Sequence, residues 1–527
     1  MDSRTGIARA AVVMSVATFI SRIIGYIKDM VFAFFFGATG ISDTFVVAFR
    51  IPNLLRELFA EGSMSSAFIP VLTEYRTKYG EEEAQRLVRI TYTFIMVFVG
   101  TVCVMGIIFS PYIVSVIAPG FRSIQEKFSL TVILTRIMFP FLLFISLAAL
   151  TMGALNTKKT FFIPAVAPAM LNITIITSML TLIPLLSRPI VAVALGVAAG
   201  GFVQFVFQLP SFFRKGYSLR FDFAFSHGGL RKISLLILPA TMGMAVAQIN
   251  IFVSTILASY LPQGSNTYLY YSMRLIQFPI GIFGVAMGMA ALPALSEHAA
   301  KGDMHKLRED FSYALRLLFF MTVPSMAGLM ALREPIVNIL FQRGVFDHTA
   351  TVGTADALLF YSMGIWAIVG VRVVTATFYS LQDTKTPVKI AVVSMTTNVL
   401  MSLLLMGPLR HSGLAFANAI ASGINFSLLF FMLRRRLGRV DGKRIVRSFV
   451  KICLASALMG MAGWFILRGN LWTVPGRITE KTLHLSATIA VCLSVYLFLC
   501  SMLKIDEMAY ITKAIKKRFS KGPGEGK

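Results

Sequence analysis

Hydrophobic residues in this chain fall into blocks of about 20 or more, separated by short polar segments, which predicts about fourteen membrane-crossing helices. They lie near residues 7–37, 43–72, 88–117, 128–153, 160–186, 189–212, 232–260, 267–294, 312–342, 351–380, 386–407, 412–433, 445–468 and 482–503. The expected fold class is therefore an all-α polytopic membrane protein. Its connecting segments are too short for an extramembrane catalytic domain. The apolar run Ala10 to Ile20 leads through Ser21 and Arg22 into a second apolar run, so a retained first helix is expected rather than a cleaved signal.

Composition excludes a water-soluble globule of ordinary size: the 527 residues are 56% hydrophobic and 14% charged, with mean hydropathy +0.74. Cys103, Cys453, Cys492 and Cys500 all lie in apolar runs without metal-ligand spacing, so neither a disulfide framework nor a metal site is expected.

A net charge of +26 suggests nucleic acid until the positions of the basic residues are considered. With the N-terminus inside, cytoplasmic segments hold roughly thirty Lys/Arg against roughly nine opposite. They include Arg76, Lys78, Lys158, Lys159, Arg214, Lys215 and the Arg434 to Arg447 cluster. Both termini are thus expected in the cytoplasm, residues 513–527 form a basic tail able to touch anionic lipid, and nucleic acid is not an expected partner.

Two internal matches, each spaced by about 225 residues and six spans apart, point to a duplication. Leu155 to Asn172 matches Leu381 to Asn398, pairing Lys159 with Lys385, and Ala67, Pro70, Leu72, Glu74 and Lys78 match Ala290, Pro293, Leu295, Glu297 and Lys301. The expected domains are two six-helix halves of like orientation, 1–215 and 216–440, two added helices in 441–512, and the tail 513–527. Transporters built this way place a binding site between the halves, near the midplane, lined by interrupted helices.

Charges inside apolar spans single out the candidate site, because an ionisable group at bilayer depth costs roughly 2.5–3.5 kcal/mol and marks a polar path or partner. In span one, Arg22, Lys28 and Asp29 flank Gly25, and the excess length of the segment predicts a bend near residues 21–25. In span two, Asn53, Arg56 and Glu57 share a helical face next to Pro52, with Glu61 one turn on. In span eight, Arg274 and Gln277 precede Pro279 and Gly281. Arg372 lies deep in span ten, as a polar lining or pairing group. Structural readings stand beside these: Lys28, Asp29 and Asp43 at external helix ends, Glu57 and Glu61 in ion pairs with Arg56 or Arg50, and Arg136 and Arg316 snorkelling or paired. Asn172, Asn398, Gln248 and Asn250 read as interhelical hydrogen-bonding groups.

Ser21 to Asp29 (SRIIGYIKD), Ser42 to Leu72, Arg274 to Gly288 (RLIQFPIGIFGVAMG) and Gln382 to Ala391 together resemble the MurJ (MviN) family. These are the lipid II flippases of the multidrug/oligosaccharidyl-lipid/polysaccharide exporter superfamily. The resemblance covers essentially the whole chain. It implies a fourteen-helix alternating-access transporter in a bacterial inner membrane, with a central cationic cavity and a groove at the last two helices for a polyprenyl tail. By motif position Arg22, Arg56 and Arg274 correspond to the family's cavity arginines, with Ser21, Asp29, Asp43 and Asn53 near them. Together with the reading of the charged spans, this gives Arg22, Lys28, Arg56, Arg274, Ser21 and Asn53 as expected substrate-binding groups, and Asp29, Asp43, Glu57, Gln277 and Arg372 as expected cavity or gating groups. Two positions depart from the family pattern: Lys28 stands where many members have arginine, and Met273 where a polar or acidic residue is common.

The implied substrate is an undecaprenyl-diphosphate-linked peptidoglycan precursor, whose phosphates suit paired arginine donors. The partners implied are this lipid, membrane lipids and the cell-wall synthesis machinery. No covalently bound cofactor is expected, and the cycle is expected to couple to membrane potential or an ion gradient. The alternatives are another exporter of the superfamily, for lipid-linked oligosaccharides or small molecules, and a membrane-embedded glycosyl- or acyltransferase. A small-molecule antiporter would favour an acidic or aromatic site for cationic substrates, and for a transferase the sequence has no Asp-x-Asp pair, Gly-x-Ser-x-Gly elbow or His-Glu-x-x-His site.

Overall fold

The computed structural model describes residues 3–57, 63–438, 440–474 and 476–508, with backbone alone at 3–15, 63–66, 238–247, 285–286 and 289–290. Glu61 and the 513–527 tail lie outside the described residues. Every described element is helical. Nine stretches among the described residues are long and apolar enough to cross a membrane, which makes this a multi-pass membrane protein. The chain divides into two compact units, Met1–Thr267 and Tyr268–Lys527.

The first unit contains α1 (Ser3–Phe36), α2 (Gly40–Arg56), α3 (Ser63–Tyr79), α4 (Glu81–Ile108), α5 (Ser110–Ile117), α6 (Gln125–Met138), α7 (Pro140–Thr157), α8 (Phe162–Leu182), α9 (Ile190–Arg214) and α10 (Gly228–Ser259). Helix α1 packs on α8, α8 and α7 pack on α9, α2 packs on α6, and α10 packs on α3. Their core is aliphatic and aromatic, with Phe68, Leu72, Leu87, Val88, Leu142 and Leu147 fully buried.

The second unit holds most of α11 (Ser265–Pro279), which begins in the first unit, then a wide π-helical turn Ile280–Val285 and α12 (Ala286–Ala300). After these come α13 (Met304–Ala331), α14 (Arg333–Phe341), α15 (His348–Ser362), α16 (Ile365–Ser380), α17 (Lys385–Leu437), α18 (Gly442–Ile466) and α19 (Ile478–Met502). Helix α17 is two helices joined at Arg410, whose φ of 52° breaks the run. Helix α13 packs on α16 and α18, and an aromatic cluster of Phe319, Trp366, Phe426 and Phe449 fills the space among them.

The duplication is visible in the backbone, in a register the sequence match only partly anticipates. Ser42 and Ser265, Glu74 and Glu297, and Lys159 and Gln382 are three pairs of residues each 223 apart. Glu74 bonds Lys78 at 2.9 Å and Glu297 bonds Lys301 at 2.5 Å, so the same surface pair closes α3 and α12. Lys159 and Gln382 each take a left-handed φ of 58° and end α7 and α16 with the same turn, Thr160 N–H to Leu155 O at 3.0 Å and Asp383 N–H to Phe378 O at 2.9 Å. The pairing of Lys159 with Lys385 is therefore three residues out: identities in a polar turn attract an alignment, but the left-handed position fixes the true one.

The same spacing holds for the interruptions, since the wide turn at Glu57 that ends α2 and the one starting at Ile280 are also 223 residues apart. Where a bend is expected in span one, the helix shows no break. Helix α1 runs unbroken through residues 21–25, because that stretch has no proline to remove a hydrogen bond and its surplus length is accommodated without a break. Pro52 likewise sits inside α2 without ending it.

Candidate functional site

The candidate residues of α1 lie on and beside one buried stripe. Ala17, Ser21, Gly25, Asp29 and Ala33, four apart, are buried. Asp29 is fully buried and pairs with Lys28 at 2.8 Å. Arg22, two turns N-terminal of Asp29 on nearly the same azimuth, is exposed.

On α2 the spacing of three and four brings Asn53, Arg56 and Glu57 together as expected. Arg56 Nε donates to Asn53 Oδ1 at 3.1 Å, Asn53 Nδ2 donates to Glu57 Oε1 at 3.0 Å, and an Arg56 terminal nitrogen is 3.7 Å from the same oxygen. From α10, Gln248 Nε2 donates to Glu57 Oε2 at 2.5 Å. Glu57 is thus the hub of the cluster, in the ion-pair reading of its role. It neutralises and orients Arg56 at the very turn where α2 ends.

Asp43 lies apart from this cluster and is buried. Its carboxylate accepts from Gly264 N–H at 2.8 Å, from Thr267 N–H at 3.0 Å and from Thr267 Oγ1 at 2.8 Å, and it pairs with buried Lys127 of α6 at 3.1 Å. The first two are free amides at the start of α11, so Asp43 serves as that helix's N-cap from a distant part of the chain. Lys127 also lies 4.0 Å from the Phe121 ring centre. The position of Asp43 itself depends on a local turn: Thr39 and Ser42 cap α2 reciprocally, and Ser42 Oγ donates to Phe36 O and Gly37 O.

In the second unit Arg274 is half-buried on α11 and Gln277 is exposed one turn later, both ahead of the wide turn Ile280–Val285. Arg372 on α16 reaches this turn. A Cβ placed on Gly284 would stand 3.3 Å from Arg372 Cδ, so glycine there leaves room for the arginine stem. Two cations therefore bracket one interruption, and such wide turns recur at functional positions.

Several sequence readings resolve into contacts. Arg136 donates to Ser110 Oγ at 2.9 Å. Arg316 is buried against Glu507, which also accepts from Ser448 Oγ at 2.9 Å. Gln248 does bond between helices, whereas Asn172 donates to Pro168 O on its own helix at 3.3 Å. Sequence reasoning missed Lys127 and Thr267. The available signal was that a buried Asp43 needs a cation, but many lysines at span ends satisfy that condition equally.

The profile of the family described as lipid II flippase MurJ matches residues 32–505. The chain belongs to this MurJ family. It is 35% identical to the lipid II flippase MurJ of Burkholderia cenocepacia, covering 93% of this chain and 95% of that one. The probable lipid II flippase MurJ of Vibrio cholerae is 33% identical, with 94% and 96% covered. A solved structure of lipid II flippase MurJ in an inward closed conformation superposes with TM-score 0.78 at 26% identity, covering 94% of this chain and 99% of that one. An inward-facing multidrug MATE transporter shares the fold, with TM-score 0.66 at 15% identity over 82% and 99%. MurJ proteins are transporters rather than enzymes.

Proposed function

We propose that this chain is a lipid II flippase of the bacterial cytoplasmic membrane, carrying the diphosphate-linked precursor from the inner to the outer leaflet by alternating access. The observation that carries the reading is the family match over residues 32–505 joined to arginines at equivalent helix interruptions, Arg56 before the turn at Glu57 and Arg274 before the turn at Ile280. Arg22, Arg56 and Arg274 bind the diphosphate. Lys28, Ser21 and Asn53 support them, with Asp29, Asp43, Glu57, Gln277 and Arg372 acting as orienting or gating groups. A guanidinium gives phosphate oxygens two parallel hydrogen bonds, which an ammonium cannot. Both termini face the cytoplasm, where the basic segments lie.

The test is protection of headgroup-labelled lipid II in vesicles holding the purified protein. The parent protein is expected to expose the label to the outer medium. Arg274→Ala is expected to slow transfer by about 10–100-fold, the equivalent of losing one charge-assisted pair, with Arg274→Lys intermediate. Transfer by Arg274→Ala at the parent rate and equal protein content would overturn the assignment of Arg274.

A further inference from the structure

Where α17 ends and α18 begins, the second unit holds a cavity of about 750 Å³ that the transport reading leaves unused. Arg434 of α17 and Lys443, Val446 and Arg447 of α18 line it, with Asp441 in the connection between the helices. Lys443 and Arg447, four apart, share one helical face. All three cations are exposed, so their donors are open to an occupant.

The carboxylates that reach this region are committed to other cations. Asp383 pairs with Arg436 at 2.5 Å, Asp506 with Arg444 at 2.9 Å, and Glu507 with buried Arg316. Arg434, Lys443 and Arg447 have no ion pair among the described residues, and Asp441 offsets only one of their charges. The cavity therefore calls for an anion.

Its walls say which kind. From Val446 the surface of α18 continues as an exposed apolar stripe through Val450 and Leu454, and Phe431 and Met432 are exposed on α17 next to Arg434. Both helical stretches are long and apolar enough to cross a membrane, so the cations stand where a lipid-facing surface begins. Free phosphate would engage the cations and leave the stripe unused, and a zwitterionic headgroup would bring an ammonium among three like charges. We infer that the cavity binds the headgroup of an anionic glycerophospholipid, its phosphodiester held by Arg434, Lys443 and Arg447 and an acyl chain lying along the Val446 stripe.

The experiment uses the full chain in phosphatidylcholine nanodiscs holding a trace of phosphatidylglycerol with a diazirine on one acyl chain. Saturable adducts are expected within residues 428–454. Unlabelled phosphatidylglycerol should compete better than phosphatidylcholine of the same chains by roughly 25-fold, about fivefold for each of the two net charges. Soluble glycerophosphoglycerol should not compete. The triple variant Arg434→Gln, Lys443→Gln, Arg447→Gln should bring the lipid ratio to about one. Arg214→Gln, Lys215→Gln, Arg220→Gln removes as many exposed cations from the first unit and should leave the ratio unchanged, which separates a local site from general surface charge. Equal competition by the two lipids in the parent protein, or an equal loss in both triple variants, would overturn the proposal; displacement by the soluble headgroup would replace the lipid with a free phosphodiester.

Discussion

At Asp43 one carboxylate serves as both a helix cap and an ion-pair partner, and both interactions are buried. Removing it strands the Lys127 ammonium, a cost of about 3–5 kcal/mol, whereas Asn keeps an acceptor for the α11 amides. Asp43→Ala is therefore expected to lower thermal stability markedly in detergent. The double variant Asp43→Asn with Lys127→Met should recover part of it, and additive losses would show that the two residues do not interact. Helical spacing alone makes Asn53, Arg56 and Glu57 legible in the sequence as a group. Gln248 and Lys127 are not legible in that way, since their partners lie 191 and 84 residues away and nothing in a local pattern encodes such distances.

Helix breaks differ in how plainly they are written. Pro279 and Gly281 announce the wide turn of span eight, and the turn at Glu57 follows by duplication, but the surplus length of span one signals a bend no better than it signals a tilt. The motif Gln382 to Ala391 shows a second limit, because much of it builds a connection rather than a site. Asp383 Oδ1 accepts from Lys385 N–H at 3.1 Å and Thr386 N–H at 3.0 Å, and Oδ2 accepts from Thr386 Oγ1 at 2.8 Å and from Arg436 at 2.5 Å. The Thr386 amide, with the Thr386 hydroxyl, Arg436 and the Lys385 amide, holds this carboxyl below its ordinary range. A carboxyl depressed in the folded state contributes its stability above the unfolded value of about 3.9 and loses it as pH falls through the folded value. Asp383→Ala is expected to cost about 1 kcal/mol at neutral pH. Its melting temperature should fall less than the parent's below about pH 4; identical acid limbs would remove Asp383 from the acid sensitivity.

Across the whole molecule, basic residues and membrane voltage set two expectations. A cysteine at Lys443 should react with an impermeant reagent only after cells are opened, and labelling in intact cells would reverse the proposed orientation. A diphosphate carries about two negative charges, and moving each outward through an inside-negative potential releases about 2.3 kcal/mol per 100 mV. Export in vesicles should therefore quicken when the interior is made negative at fixed ion gradients; rates indifferent to potential would direct attention to a chemical gradient. Fold class and family are readable throughout the sequence, because apolar block length and the span-two motif are dense signals, whereas the conformational cycle leaves no such trace. The unbroken α1 adds a mechanical constraint to that cycle. Asp29 is fully buried and Arg22, seven residues away, is exposed; an α-helix separates them by about 10 Å along a stiff rod. A tilt of about 10° pivoting at Asp29 sweeps Arg22 through about 2 Å, more than separates a hydrogen bond from none. Dipolar coupling between spin labels at Ile20 and Ile27 should stay constant in every state of the cycle, as for two marks on one lever arm; a change would reveal a hinge.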